Sequence, residues 1–241
     1  MREFTIEEIK AICDAAPLRL GVPFIDQRLD EYQEKYKGGY AYYTVFRDIV
    51  KALSPDMVLE IGSWQGTSAA AFAAGDPDTT VLTIDHHSDP GDAENQARTV
   101  EACNEYPNLN YVQGCSTEMV TAEKTGTRCI LPIVQEFLGE TKIDILFIDG
   151  WHGGQFARAD YDSYAPFLSP TALVICDDIC GGDSAAIFGM QAFWDGLPGT
   201  ERHLDGRIHA GYPMGFLKHV GAYKATGYAD DVKAPDYEVG N

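Results

Sequence analysis

The sequence predicts a doubly wound α/β fold, a mostly parallel sheet with helices on both faces and an antiparallel hairpin at its C-terminal edge. Three observations carry this. From Met57 onward, short apolar runs alternate with longer amphipathic ones, the pattern of a βαβ series. The short runs are apolar almost throughout, as strands buried on both faces are. With 241 residues, 45% hydrophobic and 11% aromatic, the chain can bury roughly 70–75% of its unfolded surface around one core, without disulfides or structural metals.

Thr5 and Glu8 stand at capping-box spacing and open a helix carrying Ile6, Ile9 and Ile12, which Pro17 stops. A polar, tyrosine-rich stretch follows. Between Thr44 and Leu53, the residues Val45, Phe46, Ile49, Val50 and Leu53 recur at helical spacing, and Pro55 ends that helix. Five buried strands are expected over Met57 to Ile61, Val81 to Ile84, Leu109 to Val112, Ile143 to Ile148 and Ala172 to Cys176. Helical patterns lie near 67–74, 92–105, 129–138, 153–165 and 184–196. Arg202 to Ala210 and Met214 to Val220 read as two strands around Gly211-Tyr212-Pro213, and the tail from Ala222 to Asn241 lacks periodicity. The organisation expected is a helical or lid-like segment over 1–43, a sheet domain over 44–221 and a tail over 222–241.

The net charge of −19 argues against nucleic acid as a partner, since phosphate neutralisation needs clustered Lys and Arg. No run approaches the ~18 apolar residues of a membrane span. The N-terminus, Met1 to Glu8, has no apolar h-region, so the expected compartment is the cytoplasm. Six cysteines, at 13, 103, 115, 129, 176 and 180, show no C-x-x-C pair and read as reduced, mostly buried thiols.

In an open parallel sheet, ligands bind beyond the carboxyl ends of the strands, and here those positions are polar. The first strand ends in Glu60-Ile61-Gly62-Ser63-Trp64-Gln65-Gly66-Thr67-Ser68. Its glycines permit a tight turn, and the N–H groups of the following helix would face a ligand. Asp85 ends the second strand, 23 residues past Gly62, close to the spacing of roughly 20 expected for a carboxylate on ribose hydroxyls. Together these point to a nucleoside-bearing ligand. Trp64 stands where a dinucleotide fingerprint has its second glycine, which disfavours NAD. Glu60 puts an anion where an amino group or sulfonium is welcome and a diphosphate is not.

Asp149 follows the fourth strand and Asp177-Asp178 the fifth, 28 residues on. One helical crossover fits that interval and brings the three carboxylates to one edge, where a hard divalent cation such as Mg²⁺ would compensate them. The alternative is that Asp177 and Asp178 cap a helix or take solvent. His152, three residues past Asp149, is placed to act as a general base on a ligand held there, the alternative being a surface or capping histidine. His86 and His87 read as rim residues. Tyr40, Tyr42, Tyr43, Trp151 and Trp194 are candidates to wall an acceptor pocket, or else belong to the core.

The segment Glu60-x-Gly62-x-x-x-Gly66-x-Ser68, with Asp85, with Gly114-Cys115-Ser116-Thr117 and with Asp149…Asp177-Asp178, resembles the class I S-adenosylmethionine-dependent methyltransferases, a Rossmann-like family. It is most similar to the metal-dependent O-methyltransferases, and His152, Asp178 and the stretch Gly189 to Trp194 lean toward the macrolide-sugar and cephalosporin-hydroxylase-like branch. The resemblance spans about Ala41 to Val220. It implies that Glu60, Gly62, Gly66 and Ser68 form the methionine-side turn, Asp85 the ribose-binding acid, and Ser116 and Thr117 the adenine-side loop. It further implies that Asp149, Asp177 and Asp178 are metal ligands and His152 the base. The expected activity is Mg²⁺-assisted methyl transfer from S-adenosylmethionine to a hydroxyl of a small molecule, sugar-like first and phenolic second. Two rivals stand beside it, a nicotinamide-dependent oxidoreductase and a non-catalytic adenosylmethionine-binding module. A homo-oligomer is a further possibility, with the region before Thr44 as lid or dimer contact.

Overall fold

The fold was analysed in a computed structural model, which describes residues 1–17, 19–36, 42–88, 91–118, 127–179, 189–199, 201–205 and 214–219. Seven strands form one sheet in the order β3-β2-β1-β4-β5-β7-β6. They are β1 (Met57–Ile61), β2 (Thr80–Asp85), β3 (Leu109–Gln113), β4 (Ile143–Ile148), β5 (Leu168–Cys176), β6 (Arg202–Asp205) and β7 (Met214–Lys218). The pairs among β1 to β5 are parallel, and β7 runs antiparallel to both β5 and β6. The doubly wound sheet and its antiparallel edge are therefore those the sequence predicts.

The helices are α1 (Ile6–Ala15), α2 (Pro23–Tyr36), α3 (Tyr42–Leu53), α4 (Thr67–Ala73), α5 (Asp92–Glu105), α6 (Leu131–Leu138), α7 (Gly154–Tyr164) and α8 (Met190–Asp195). The first begins at the expected capping box: Glu8 N–H donates to Thr5 Oγ1 at 3.2 Å and Thr5 N–H donates to Glu8 Oε2 at 2.8 Å. Helix α2 occupies part of the stretch in which the sequence reading placed no element. It is mostly charged and polar, and its described buried side chains are Ile25, Arg28 and Leu29, so its hydrophobic periodicity is faint. The sequence-predicted strand ends at 206–210 and 219–220, the helix start at 184–188 and the tail from 222 lie outside or largely outside the described residues.

Each sheet face has its own core. One is filled by α1 to α5 against Val58, Val81, Phe147 and Ile175, with Phe46 stacked on Phe72 at 4.3 Å. The other is filled by α6, α7 and α8 against Leu59, Ile61, Leu146 and Val174. Residues 4–13 lie in the first core through Phe4, Ile6, Ile9 and Cys13, so this part of the N-terminal segment shares that core with the sheet. No described helix is long and apolar enough to cross a membrane. The described cysteines 13, 103, 115, 129 and 176 are free thiols.

Strand register decides what meets at the crevice. Ile61 lies opposite both Ile84 and Ile148, and Ile148 lies opposite Cys176. The next residue on each strand, Gly62, Asp85, Asp149 and Asp177, therefore stands at one level along a single sheet edge. Between β1 and β4 the winding reverses, the topological switch point at which open α/β sheets bind ligands.

Candidate active site

The turn after β1 approaches the end of β4 so closely that only glycine fits. Gly62 has φ of +94°, and a Cβ built on it would lie 2.0 Å from the Asp149 carbonyl oxygen. Gly66 closes the same turn at φ of +71°, with Thr99 Cα 3.0 Å from its would-be Cβ. Trp64, between them, takes a left-handed φ of +42° and is partly exposed, and this backbone is held from several sides. Asp85 Oδ2 accepts from Trp64 N–H at 2.8 Å and Asp85 Oδ1 from His87 N–H at 3.1 Å. The Trp64 carbonyl accepts from His87 Nε2 at 2.7 Å and from Thr99 Oγ1 at 3.1 Å. Since a carbonyl can only accept, His87 Nε2 donates to it, and His87 Nδ1 hydrogen-bonds the Tyr111 hydroxyl at 2.6 Å. His87 is thus buried and fully engaged, a correction to its reading as a rim residue. The ring between turn and β3 is what sequence spacing alone does not reveal.

Glu60 lies beneath the turn with none of its surface open to solvent. Burial raises its carboxyl to about 7, against the pull of the Ser68 and Thr83 hydroxyls. Thr83 donates to Oε2, and Oε1 has no hydrogen-bond partner. Ser68 is itself buried at the start of α4.

Ser116 and Thr117 follow β3, where Thr117 is buried. The Ser116 hydroxyl donates to Asp160 of α7, and the Ser116 carbonyl accepts from the Tyr164 hydroxyl at 2.8 Å. Asp160 is a site residue that the sequence reading missed. Burial pushes its carboxyl up to about 7, opposed by the Ser116 hydrogen bond. The signal was present in helical period, because Ala157, Asp160, Tyr161 and Tyr164 share the buried face of α7.

At the ends of β4 and β5 Asp149 and Asp177 meet, while the three carboxylates Asp149, Asp177 and Asp178 do not bring one oxygen each within 4.8 Å of one another. Burial, then the charges of Asp177, Asp178 and Glu60, raise the Asp149 carboxyl well above its ordinary range, and Asp177 shares a hydrogen bond with it. Asp177 is 3% exposed. Asp178 has φ of +52° and places Oδ2 3.3 Å from His152 Nδ1. Trp64, His87 and Asp178 are three of the four described non-glycine residues with positive φ, so backbone strain concentrates at this edge. The donor set is all hard oxygen, the chemistry that suits a small divalent cation. Of the aromatic candidates, Trp151 is half exposed and stacks on Phe156 at 4.8 Å. Trp194 and Tyr43 are buried in the two cores, which removes them from a pocket wall. Tyr40 and the Tyr42 side chain lie outside the described residues.

A glycine turn at the switch point, with carboxylates ranged along the same edge, defines the doubly wound α/β proteins that bind ligands beyond their strand ends. Over residues 59–179, half of its length, the sequence matches the methyltransferase domain family, and the chain belongs to it. Similar solved structures include a methyltransferase from Podospora anserina bound to SAH (14% identity, 92% of this chain and 99% of that one covered, TM-score 0.60). Another is an O-methyltransferase from Bacillus cereus in complex with SAH (16%, 92% and 92%, TM-score 0.55). A third is an O-methyltransferase from Streptomyces achromogenes involved in tomaymycin synthesis, in complex with SAM (16%, 92% and 92%, TM-score 0.54). At these identities the likeness is one of fold. No curated protein matches the chain.

Proposed function

We propose that the chain is an S-adenosylmethionine-dependent, Mg²⁺-assisted O-methyltransferase acting on a hydroxyl of a small molecule, sugar-like or phenolic. The observation that carries this reading is the abutment of the two halves of the site. The would-be Cβ of Gly62 falls 2.0 Å from the carbonyl of Asp149, so a donor on the glycine turn and an acceptor at the acidic cluster would be neighbours. The solved methyltransferases of the same fold that hold SAH or SAM support the donor.

In this reading Gly62, Gly66 and Asp85 bind the donor directly. Glu60 and Ser68 support the turn from beneath, while Ser116 and Thr117 border the adenine side, with Ser116 tied to Asp160. Asp149, Asp177 and Asp178 would hold Mg²⁺, which when bound supplies the Lewis acidity that lowers the pKa of an acceptor hydroxyl. Asp178 at 3.3 Å orients His152 through Nδ1, leaving Nε2 to take the hydroxyl proton. The oxygen then attacks the sulfonium methyl carbon and the thioether leaves with the bonding pair. Alignment of the two substrates accounts for much of the remaining acceleration, because the donor is already activated. Trp151, exposed and stacked on Phe156, offers the acceptor an apolar face.

Calorimetric titration of S-adenosylmethionine, with and without Mg²⁺ and with NAD as the control, tests the donor. Micromolar binding of the methyl donor is the expected result, and tighter binding of NAD or no binding of the donor would sink the reading. Transfer of labelled methyl to hydroxylated acceptors, abolished by chelation and restored by Mg²⁺, tests the rest.

A further inference from the structure

We propose that Cys13, His203 and Asp205 form a second metal site, selective for a borderline cation of the Zn²⁺ type, that fastens α1 to the edge strand β6. Cys13 lies in the last turns of α1, and its thiol is 7% exposed. His203 and Asp205 are two apart on β6, so their side chains leave the same face of the strand. One ligand atom from each of the three lies within 4.8 Å of the other two. His203 Nε2 and Asp205 Oδ2 are 3.7 Å apart, and on a tetrahedral ion with bonds of about 2.0–2.3 Å neighbouring ligand atoms are separated by roughly 3.3–3.8 Å. Small side-chain adjustments close the set.

The imidazole supplies the second observation. His203 Nε2 is buried and has no hydrogen-bond partner, whereas buried polar nitrogens in folded proteins are nearly always satisfied. Its ring lies over Phe216 with centroids 6.2 Å apart, and the orphaned nitrogen is 3.7 Å from the Asp205 carboxylate. Asp205 is 2% exposed, so its carboxylate is an oxygen donor held inside the fold beside the imidazole. Sulfur, nitrogen and oxygen donors in one set select zinc over magnesium. The all-oxygen group around Asp149 selects the opposite way. The two sites are therefore told apart by donor chemistry. Because the unfolded chain has no preformed arrangement of residues so distant in sequence, binding here would add directly to folding stability.

The test uses the full chain, chelated and then titrated with Co²⁺ as the probe. One equivalent should produce a thiolate-to-cobalt charge-transfer band in the near ultraviolet together with tetrahedral d–d bands, and the melting temperature should rise with free Co²⁺ or Zn²⁺. Cys13→Ser should abolish the near-ultraviolet band, and His203→Asn should weaken binding at least roughly tenfold while leaving the thiol in place. Asp149→Asn should leave the band unchanged. Absence of a thiolate band at equimolar Co²⁺ would overturn the proposal, as would a band that survives undiminished in both Cys13→Ser and His203→Asn. If Cys13→Ser does not fold, His203→Asn alone decides through the affinity. None of these readouts depends on methyl transfer.

Discussion

The two halves of the site handle their polar groups in opposite ways. On the β1/β2 side, side chains hold the backbone of the turn: Asp85 takes the amides of Trp64 and His87, and His87 joins the Trp64 carbonyl to Tyr111. On the β4/β5 side, like charges are pressed together, with Asp149 buried among Asp177, Asp178 and Glu60. The first half is assembled before any ligand arrives. The second crowds its acidic groups, and burial with those neighbours holds the Asp149 carboxyl well above its ordinary range. The contrast separates a surface that binds by shape from one that works by charge, and substitutions in the two halves should fail in different ways.

The largest contrast is expected from Asp149→Asn. Activity and its Mg²⁺ dependence should both disappear, while the chelated protein becomes more stable by about 1–3 kcal/mol, since an amide removes the cost of keeping a buried carboxyl protonated that would ionise in the unfolded chain. Thermal melting in EDTA checks the second part, and a fall in stability would mean that the carboxylates are already compensated within the fold. His152→Ala should lower kcat by roughly 10²–10⁴-fold with donor affinity held within about twofold. Turnover unchanged in this variant would remove the base assignment.

Asp160 spans the contrast, since it sits on α7 but secures the loop after β3. Its carboxyl is raised from an ordinary 3.8 to about 7 by burial. Below pH 3.8 both folded and unfolded chains keep the proton, and the group contributes its full share of stability. From there to about 7 the unfolded chain ionises while the folded one does not, so that share is lost as pH rises. At about 1.4 kcal/mol per pH unit of separation, the loss amounts to roughly 4 kcal/mol by pH 8. Asp160→Asn keeps an acceptor for Ser116 and should remove this slope. Denaturant melts of both proteins at pH 5 and pH 8 measure it, and identical pH dependence in the two would refute the raised carboxyl.

Much of this edge was legible in sequence because strand ends obey a simple rule. Five apolar runs could be counted, and the residues just past them, Gly62, Asp85, Asp149 and Asp177, prove to be level in the sheet. Less legible were the groups that reach the site across the fold. His87 looked like a rim residue because nothing local announces that Tyr111 and the Trp64 carbonyl will close on it. Trp194 looked available for a pocket, yet it is 1% exposed and packs against Gly215 of β7, a contact made across the unmarked return of the chain. Helix α2 was invisible for a related reason, since its sequence is mostly charged and polar and one of its buried anchors, Arg28, is itself charged.

That anchor, Arg28, gives the smallest and most specific prediction for the preassembled half. Its guanidinium is 6% exposed and donates to the Gln65 carbonyl and the Arg98 carbonyl, each at 2.9 Å, and to Glu101 Oε2 at 2.8 Å. One side chain thereby pins α2 to the glycine turn and to α5. A lysine retains the charge but not the planar fork that serves three acceptors at once, so Arg28→Lys should lose about 1–2 kcal/mol of stability. Because Gln65 stands between Trp64 and Gly66, the donor should bind roughly 3–10-fold more weakly, a loss of about 1 kcal/mol, while kcat at saturating donor stays near that of the parent. A variant that lowers kcat instead, with donor affinity intact, would show that the turn is not held from this side and that the two halves of the site are less independent than their bonding suggests.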